Sequence, residues 1–110
     1  MKFNNEIHKI HEISNFKEMI NYTVEHYPDN IAYKFKKNFK KENESLVEKT
    51  YKEIKEEIEA FSTALLNMKL ENKKVAVIGS NRYEWCVTYL AATTGNMVIV
   101  PLDKALPTGE

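Results

Sequence analysis

Two unbroken apolar runs, Val75, Ala76, Val77, Ile78 and Met97, Val98, Ile99, Val100, bracket a helix-length stretch in the second half of the chain. Each has the length and composition of a strand buried on both faces. Asn81 with Glu84 three residues later makes a capping-box pattern at the start of the intervening stretch. Gly95, the residue type that most readily turns left-handed past a helix end, closes it. A connection of this length joins parallel strands through a right-handed crossover, because hairpins use far shorter links. The pattern therefore predicts a βαβ unit. Its helix, expected over 82–94, carries Trp85, Cys86, Val87, Tyr89, Leu90, Ala91 and Ala92, so it needs cover on more than one side.

The first half alternates differently. Residues 1–14 form a polar arm with Ile7, Ile10 and Ile13 spaced by three. Asn15 with Glu18 repeats the capping pattern, and Phe16, Met19, Ile20, Val24 and Tyr27 follow at helical spacing up to Pro28. Ile31, Tyr33 and Phe35 alternate with Ala32, Lys34 and Lys36, the period of a half-buried strand. A charged, asparagine-rich tip over 36–44 and a second strand over 45–49 complete a hairpin. Thr50 with Glu53 opens the most regular helix, where Tyr51, Ile54, Ile58, Phe61, Leu65 and Met68 form a stripe that Ala60, Ala64 and Leu66 widen. That helix is expected to cover one face of the central sheet. The whole reads as α/β: a βαβ unit with parallel strands, flanked by helices and a β-hairpin.

Composition narrows the function classes. A chain of 110 residues is sufficient for one modest core, so 1–110 is read as a single partial domain with 1–14 as its arm. Sixteen basic and sixteen acidic side chains cancel, which removes the field that would draw nucleic acid or an anionic membrane. No apolar run reaches membrane-spanning length. One cysteine, Cys86, cannot form an internal disulfide, and the start lacks the apolar segment of a secretion signal, so a cytoplasmic location is expected.

Four groups of residues invite chemistry, and each has a plainer reading that is preferred. His8 and His11 would share a helix face as a metal pair, but no third ligand stands at a recognisable spacing. Lys36, Lys37, Lys40 and Lys41 surround Phe39 like a nucleic-acid patch, yet Glu42, Glu44 and Glu48 sit beside them, as in a solvated turn. Cys86 lies in an apolar helix with no base in view, as a core cysteine does. Gly79 and Ser80 precede a helix N-terminus able to hold an anion, without the further glycines of a phosphate loop. No catalytic, cofactor-binding or metal-binding residue is assigned.

Several segments together resemble the opening of an adenylate-forming (AMP-binding) synthetase or ligase. They are Tyr27-Pro28-Asp29-Asn30-Ile31-Ala32-Tyr33, Thr50-Tyr51-Lys52-Glu53-Ile54, the run from Val75 to Gly79, Asn81-Arg82 with Glu84-Trp85, and Val100-Pro101-Leu102-Asp103 with Leu106-Pro107. The Asn-Arg-x-x-Trp form, and Lys104 where a proline is common after the aspartate in peptide-synthetase domains, is most similar to long-chain fatty acid-CoA ligases. The resemblance implies ATP-dependent conversion of a carboxylate to an acyl adenylate and then to a thioester of coenzyme A, with Mg²⁺ assisting the first half. It implies that ATP, Mg²⁺ and coenzyme A belong to the parent enzyme, because the family's phosphate loop, ribose-binding aspartate and mobile C-terminal domain match no position here. The chain is thus expected to be an inactive structural portion of a larger doubly wound N-terminal domain. The rest of the parent chain is its expected partner, and self-association through an exposed sheet edge is expected when it stands alone. The alternative is a complete small α/β interaction or regulatory module without catalysis.

Overall fold

The computed structural model describes residues 11–37, 40, 45–107 and 109. In chain order the elements are α1 (Phe16–His26), β1 (Ile31–Lys36), β2 (Leu46–Thr50), α2 (Tyr51–Asn67), β3 (Lys74–Ile78), α3 (Tyr83–Thr94) and β4 (Val98–Leu102). Strands β1 and β2 pair antiparallel, and β3 and β4 pair parallel, as two separate sheets. The α/β architecture expected from the pattern, a hairpin and a βαβ unit among helices, is therefore the one observed. Ile7 and Ile10 of the arm, and the hairpin tip at 38–39 and 41–44, lie outside the described residues.

Helix starts follow the capping chemistry in two cases of three. At α2 the Thr50 hydroxyl accepts from the Glu53 amide (3.2 Å) while the Glu53 carboxylate accepts from the Thr50 amide (2.8 Å). The next two amides, of Tyr51 and Lys52, donate to the carbonyls of Asn30 and Pro28, so the hairpin base finishes the cap. At α1 the Asn15 side chain accepts from the Glu18 amide (2.8 Å), but Glu18 reaches back to the Ser14 amide (3.0 Å), one residue earlier than the box requires. At α3 the expected Asn81–Glu84 box does not form. The cap residue is Arg82, which makes no side-chain cap, and the later start leaves Glu84 at the second rather than the third helical position.

Both α2 and α3 end in a left-handed step that turns the chain back on the helix. After α2, Lys69 (φ 61°) takes this conformation, and the Leu70 amide donates to the Leu65 carbonyl (3.3 Å). After α3 it is Asn96 (φ 60°), not Gly95 as expected, and the Met97 amide donates to the Ala92 carbonyl (3.0 Å). Gly95 itself is not left-handed (φ −92°) and answers a steric demand instead. A Cβ there would stand 2.5 Å from the Ser62 hydroxyl and 2.7 Å from the Met97 methyl.

The core divides into two clusters along α2 and α3, which run in the same sense. Ile54, Ile58 and Ala91 pack with Ala32, Tyr33, Tyr83, Val87 and Leu90 next to the hairpin. Leu65, Ala92 and Met97 pack with Leu70, Val75 and Ile99 next to the parallel strands. The buried stripe of α2 is Ile54, Ile58, Ser62 and Leu65, so Phe61 and Met68, expected inside, are exposed. Small Ser62 takes the inward place because Gly95 approaches there. Helix α2 packs mainly on α3 and α1 and reaches the β3–β4 sheet, which it was expected to cover, only through Leu65; α3 supplies most of the cover of those strands. In β1 a register irregularity between Ile31 and Tyr33 breaks the predicted alternation, leaving Ile31 exposed and turning Ala32 toward the core.

Strands β3 and β4 are not buried on both faces. In register, Lys74 faces Val98, Ala76 faces Val100 and Ile78 faces Leu102. Val77 is buried and Val75 and Ile99 are half-buried on the side toward α3, whereas on the other side Ile78 (62% exposed), Val98 (53%) and Leu102 (41%) meet solvent. One helix layer covers one face, and among the described residues nothing covers the other.

Candidate functional site

The densest polar constellation joins three elements. The capping box fixes where α2 starts, and one turn later Glu57 faces the hairpin. Lys49 of β2 donates to one Glu57 oxygen (2.5 Å), and the Tyr83 hydroxyl, from the first turn of α3, donates to the other. Phe35 stacks on the Tyr83 ring (centroids 4.7 Å apart, planes within 10°), and the Lys49 ammonium lies over the ring at 5.9 Å from its centroid. Tyr33 meets its edge at 5.5 Å.

The electrostatics of this group are those of a latch. Burial alone would raise Glu57, but the bonds from Lys49 and Tyr83 outweigh it and hold the carboxyl below its ordinary value. Tyr83 is pushed far above the ordinary phenol value, first by burial and then by the Glu57 carboxylate it faces. A phenol so raised stays neutral across physiological pH and donates its hydrogen bond to Glu57. Lys49 is raised by the same carboxylate. Nothing in the sequence pairs Glu57 with Tyr83, 26 positions away, and only the fold brings them together.

The residues that invited chemistry fall elsewhere. Cys86 is half-buried beside the Tyr33 phenol, which burial and then the thiol raise. His8 lies outside the described residues. His11 stacks on Tyr22 (4.2 Å, planes within 8°) and approaches Glu18 at 3.4 Å. Among the described residues no three His, Cys, Asp or Glu side chains gather as a metal site would need. Of the lysine patch, Phe39, Lys41, Glu42 and Glu44 lie outside the described residues, while Lys34 pairs with Glu48 across the hairpin (3.3 Å).

At the carboxyl end of the parallel pair, the Ser80 hydroxyl accepts from the Lys104 ammonium (3.2 Å), and Arg82 approaches Glu84 at 3.9 Å. This places the Gly79–Ser80 turn, the Asn81-Arg82 segment and the Asp103-Lys104 turn at one end of the sheet, where open α/β sheets form their crevices. A hollow of about 210 Å³ beside Trp85 opens there. A wider groove of about 520 Å³ runs between α1, α2 and the α3–β4 turn, over Ile58 and Gly95. No described helix is long and apolar enough to cross a membrane.

Comparison with known proteins identifies the whole. The family model for AMP-binding enzymes matches residues 20–110. Among solved structures, Klebsiella oxytoca NpsA in complex with 3-hydroxyanthranilyl-AMSN aligns at 21% identity and a TM-score of 0.71, over 87% of this chain and 18% of that one. The N-terminal subdomain of the same Klebsiella oxytoca protein aligns at 21% identity and 0.71, over 86% of this chain and 23% of that one. The fatty acid AMP ligase of Legionella pneumophila aligns at 14% identity and 0.70, over 84% of this chain and 16% of that one. These likenesses are of fold, and this chain spans about a fifth of the length of the proteins it matches. A search of curated proteins finds no significant match. With the family model spanning both sheets and two of the three helices in full, the chain belongs to the AMP-binding, adenylate-forming enzymes.

Proposed function

We propose that this chain is the opening, structural portion of an ATP-dependent acyl-CoA synthetase of the long-chain fatty acid type, without activity of its own. The observation that carries the structural part is the outward face of β3 and β4. Ile78, Val98 and Leu102 are 62%, 53% and 41% exposed on one contiguous surface, and a doubly wound sheet buries that surface under further helices. The rest of the parent chain supplies this cover in our reading. The acyl-CoA preference rests on the Asn81-Arg82-x-x-Trp85 segment and on Lys104, which meets that segment's turn at Ser80. ATP, Mg²⁺ and coenzyme A are cofactors of the parent enzyme in this proposal, and no residue of these 110 is assigned to hold them. The task of the chain is to set one wall of the domain in place.

The experiment has two arms. The parent enzyme, expressed from the full reading frame, is given ATP with a long-chain fatty acid, an aryl acid or an amino acid, with and without coenzyme A, and AMP and thioester are measured. Thioester from the fatty acid alone is the expected result; aryl or amino-acid activation, or an adenylate never passed to coenzyme A, overturns the acyl-CoA reading. The 110-residue chain is titrated with ATP by calorimetry, where saturable binding lost on unfolding overturns its structural role. A strictly monomeric chain that binds no apolar dye would favour the self-contained module instead.

A further inference from the structure

The groove of about 520 Å³ between α1, α2 and the α3–β4 turn takes no part in the function proposed above. Half-buried Ile20 and Leu66, the latter 39% exposed, line it above Ile58. Ser62 lines it too and is only 8% exposed, yet its hydroxyl makes no hydrogen bond among the described residues. Since no fully buried side-chain nitrogen or oxygen lacks a partner among those residues, this hydroxyl stays open to the groove. A hydroxyl both donates and accepts, so it suits a passing peptide backbone better than a hydrocarbon.

A second hollow leads to this groove. His11 lies against α1, its ring stacked on Tyr22 at 4.2 Å and its Nε2 3.4 Å from Glu18. The hollow beside His11 is lined by Lys17 and Asn21, which also line the groove, so the two form one continuous trough across α1. Residues 1–10, which lie outside the described residues, therefore join the fold at one end of this trough. Their sequence sets Phe3, Ile7 and Ile10 four and three apart among polar residues, a spacing that gathers apolar groups along one side of a helix. Such an edge calls for a surface to cover it. Along α2 the groove runs from Lys55 to Leu66, about 16 Å at a rise of about 1.5 Å per residue. Ten residues span about 15 Å as a helix and about 33 Å extended, so the reach is sufficient in either form.

We propose that residues 1–10 dock in this groove, with Phe3, Ile7 and Ile10 turned to Ile20 and Leu66 and the backbone passing the Ser62 hydroxyl. The inference does not depend on acid activation. A segment of the same chain is held at high effective concentration and loses little overall freedom on docking, so two or three apolar side chains are sufficient to keep it in place. Docked there, the segment ties α1 to α2 on the side away from the hairpin.

The test uses the 110-residue chain with labelled isoleucine and leucine methyls and reads nuclear Overhauser contacts between them. Contacts from Ile7 and Ile10 to Ile20 and Leu66 are expected, and they should persist unchanged on dilution. The I7K/I10K variant should erase them and lower the melting temperature by about 5 °C. Ile13→Lys, at a position 47% exposed and outside the groove lining, should leave both unchanged. Leu66→Lys, at a position open enough to take a charge without unfolding the chain, should release the segment as well. Added to I7K/I10K it should lower the melting temperature little further, because the contact is already lost. Contacts that fade on dilution would assign the groove to a second copy and overturn docking within one chain. Contacts of Ile7 and Ile10 to another face, no contacts at all, or additive losses from I7K/I10K and Leu66→Lys would each overturn it too.

Discussion

Strands β1 and β2 meet within one local hairpin and are then tied to the helices by polar side chains, whereas β3 and β4 meet only because α3 carries the chain between them and packs on one of their faces. Lys49 and Glu57 fasten the hairpin side, where Tyr33 and Phe35 both rest on Tyr83. Among the described residues the parallel side has only the exposed Lys104–Ser80 bond; its order comes mainly from Leu65, Ala92 and Met97 and from the turned-back helix ends. The difference teaches where each sheet draws its stability. The hairpin depends on a directed network at its base, and the parallel pair depends on apolar cover that the described residues supply on one side only.

The most severe way to break this division is to remove what both halves share. Ile58 is 2% exposed and lies where α2 meets α3, so Ile58→Ala should cost about 3 kcal/mol and lower the denaturation midpoint of both sheets together. If hairpin amides exchanged early while β3–β4 amides stayed protected, the two clusters would be independent units. Next comes Gly95→Ala. Its Cβ would press on Ser62, Met97 and the Ala91 carbonyl, and a loss of about 2 kcal/mol in urea unfolding is expected, recovered in part by adding Ser62→Gly.

The latch should show itself in pH. Glu57 is held below its ordinary value, so its contribution is complete above the unfolded carboxylate pKa of 4.5 and fades as pH falls through the lower folded value. Tyr83 is raised, so its contribution is complete below 10.0 and fades as pH rises beyond it. Glu57→Gln should cost about 1 kcal/mol at neutral pH, discounted because the carboxylate is partly solvated, and should flatten the acid limb of a stability–pH curve. Tyr83→Phe should flatten the alkaline limb; unchanged limbs in both variants would show that the network adds nothing.

Smaller effects sharpen the parallel side. Lys69 holds a left-handed conformation that a side chain resists, so Lys69→Gly should stabilise by about 0.5 kcal/mol in thermal unfolding. Smallest in stability, within about 0.5 kcal/mol, is the outward pair Ile78→Lys and Val98→Lys. It should nonetheless reduce apolar dye binding and self-association in sedimentation, because it charges the bare face.

Much of this arrangement was legible in the sequence, for a reason that differs by element. The Thr50–Glu53 box and the parallel runs are local patterns, and local patterns survive folding. The inward place of Ser62 and the demand on Gly95 come from one contact between α2 and α3 across 33 positions, which no periodicity records. The failure of the Asn81–Glu84 box came from a one-residue shift in helix start, the margin at which cap patterns are least decisive. The Glu57–Tyr83 bond was invisible, since Glu57 reads as one more acid on a charged helix face. The apolar composition of the two runs predicts burial on both strand faces, and composition does not say which elements provide the cover.

Asn72 and Asn96 have φ values of 61° and 60°, each sits two residues ahead of a paired strand position, and the Asn72 amide donates to the Asn96 carbonyl (2.9 Å). The two strands thus leave their helices through the same bend, laid side by side and bonded to one another. The bond between these bends fixes the alignment of the ladder at its first pair. Evolution is then free to rewrite the solvent-side letters of β3 and β4 to suit whatever shelters them without risking a slipped pairing.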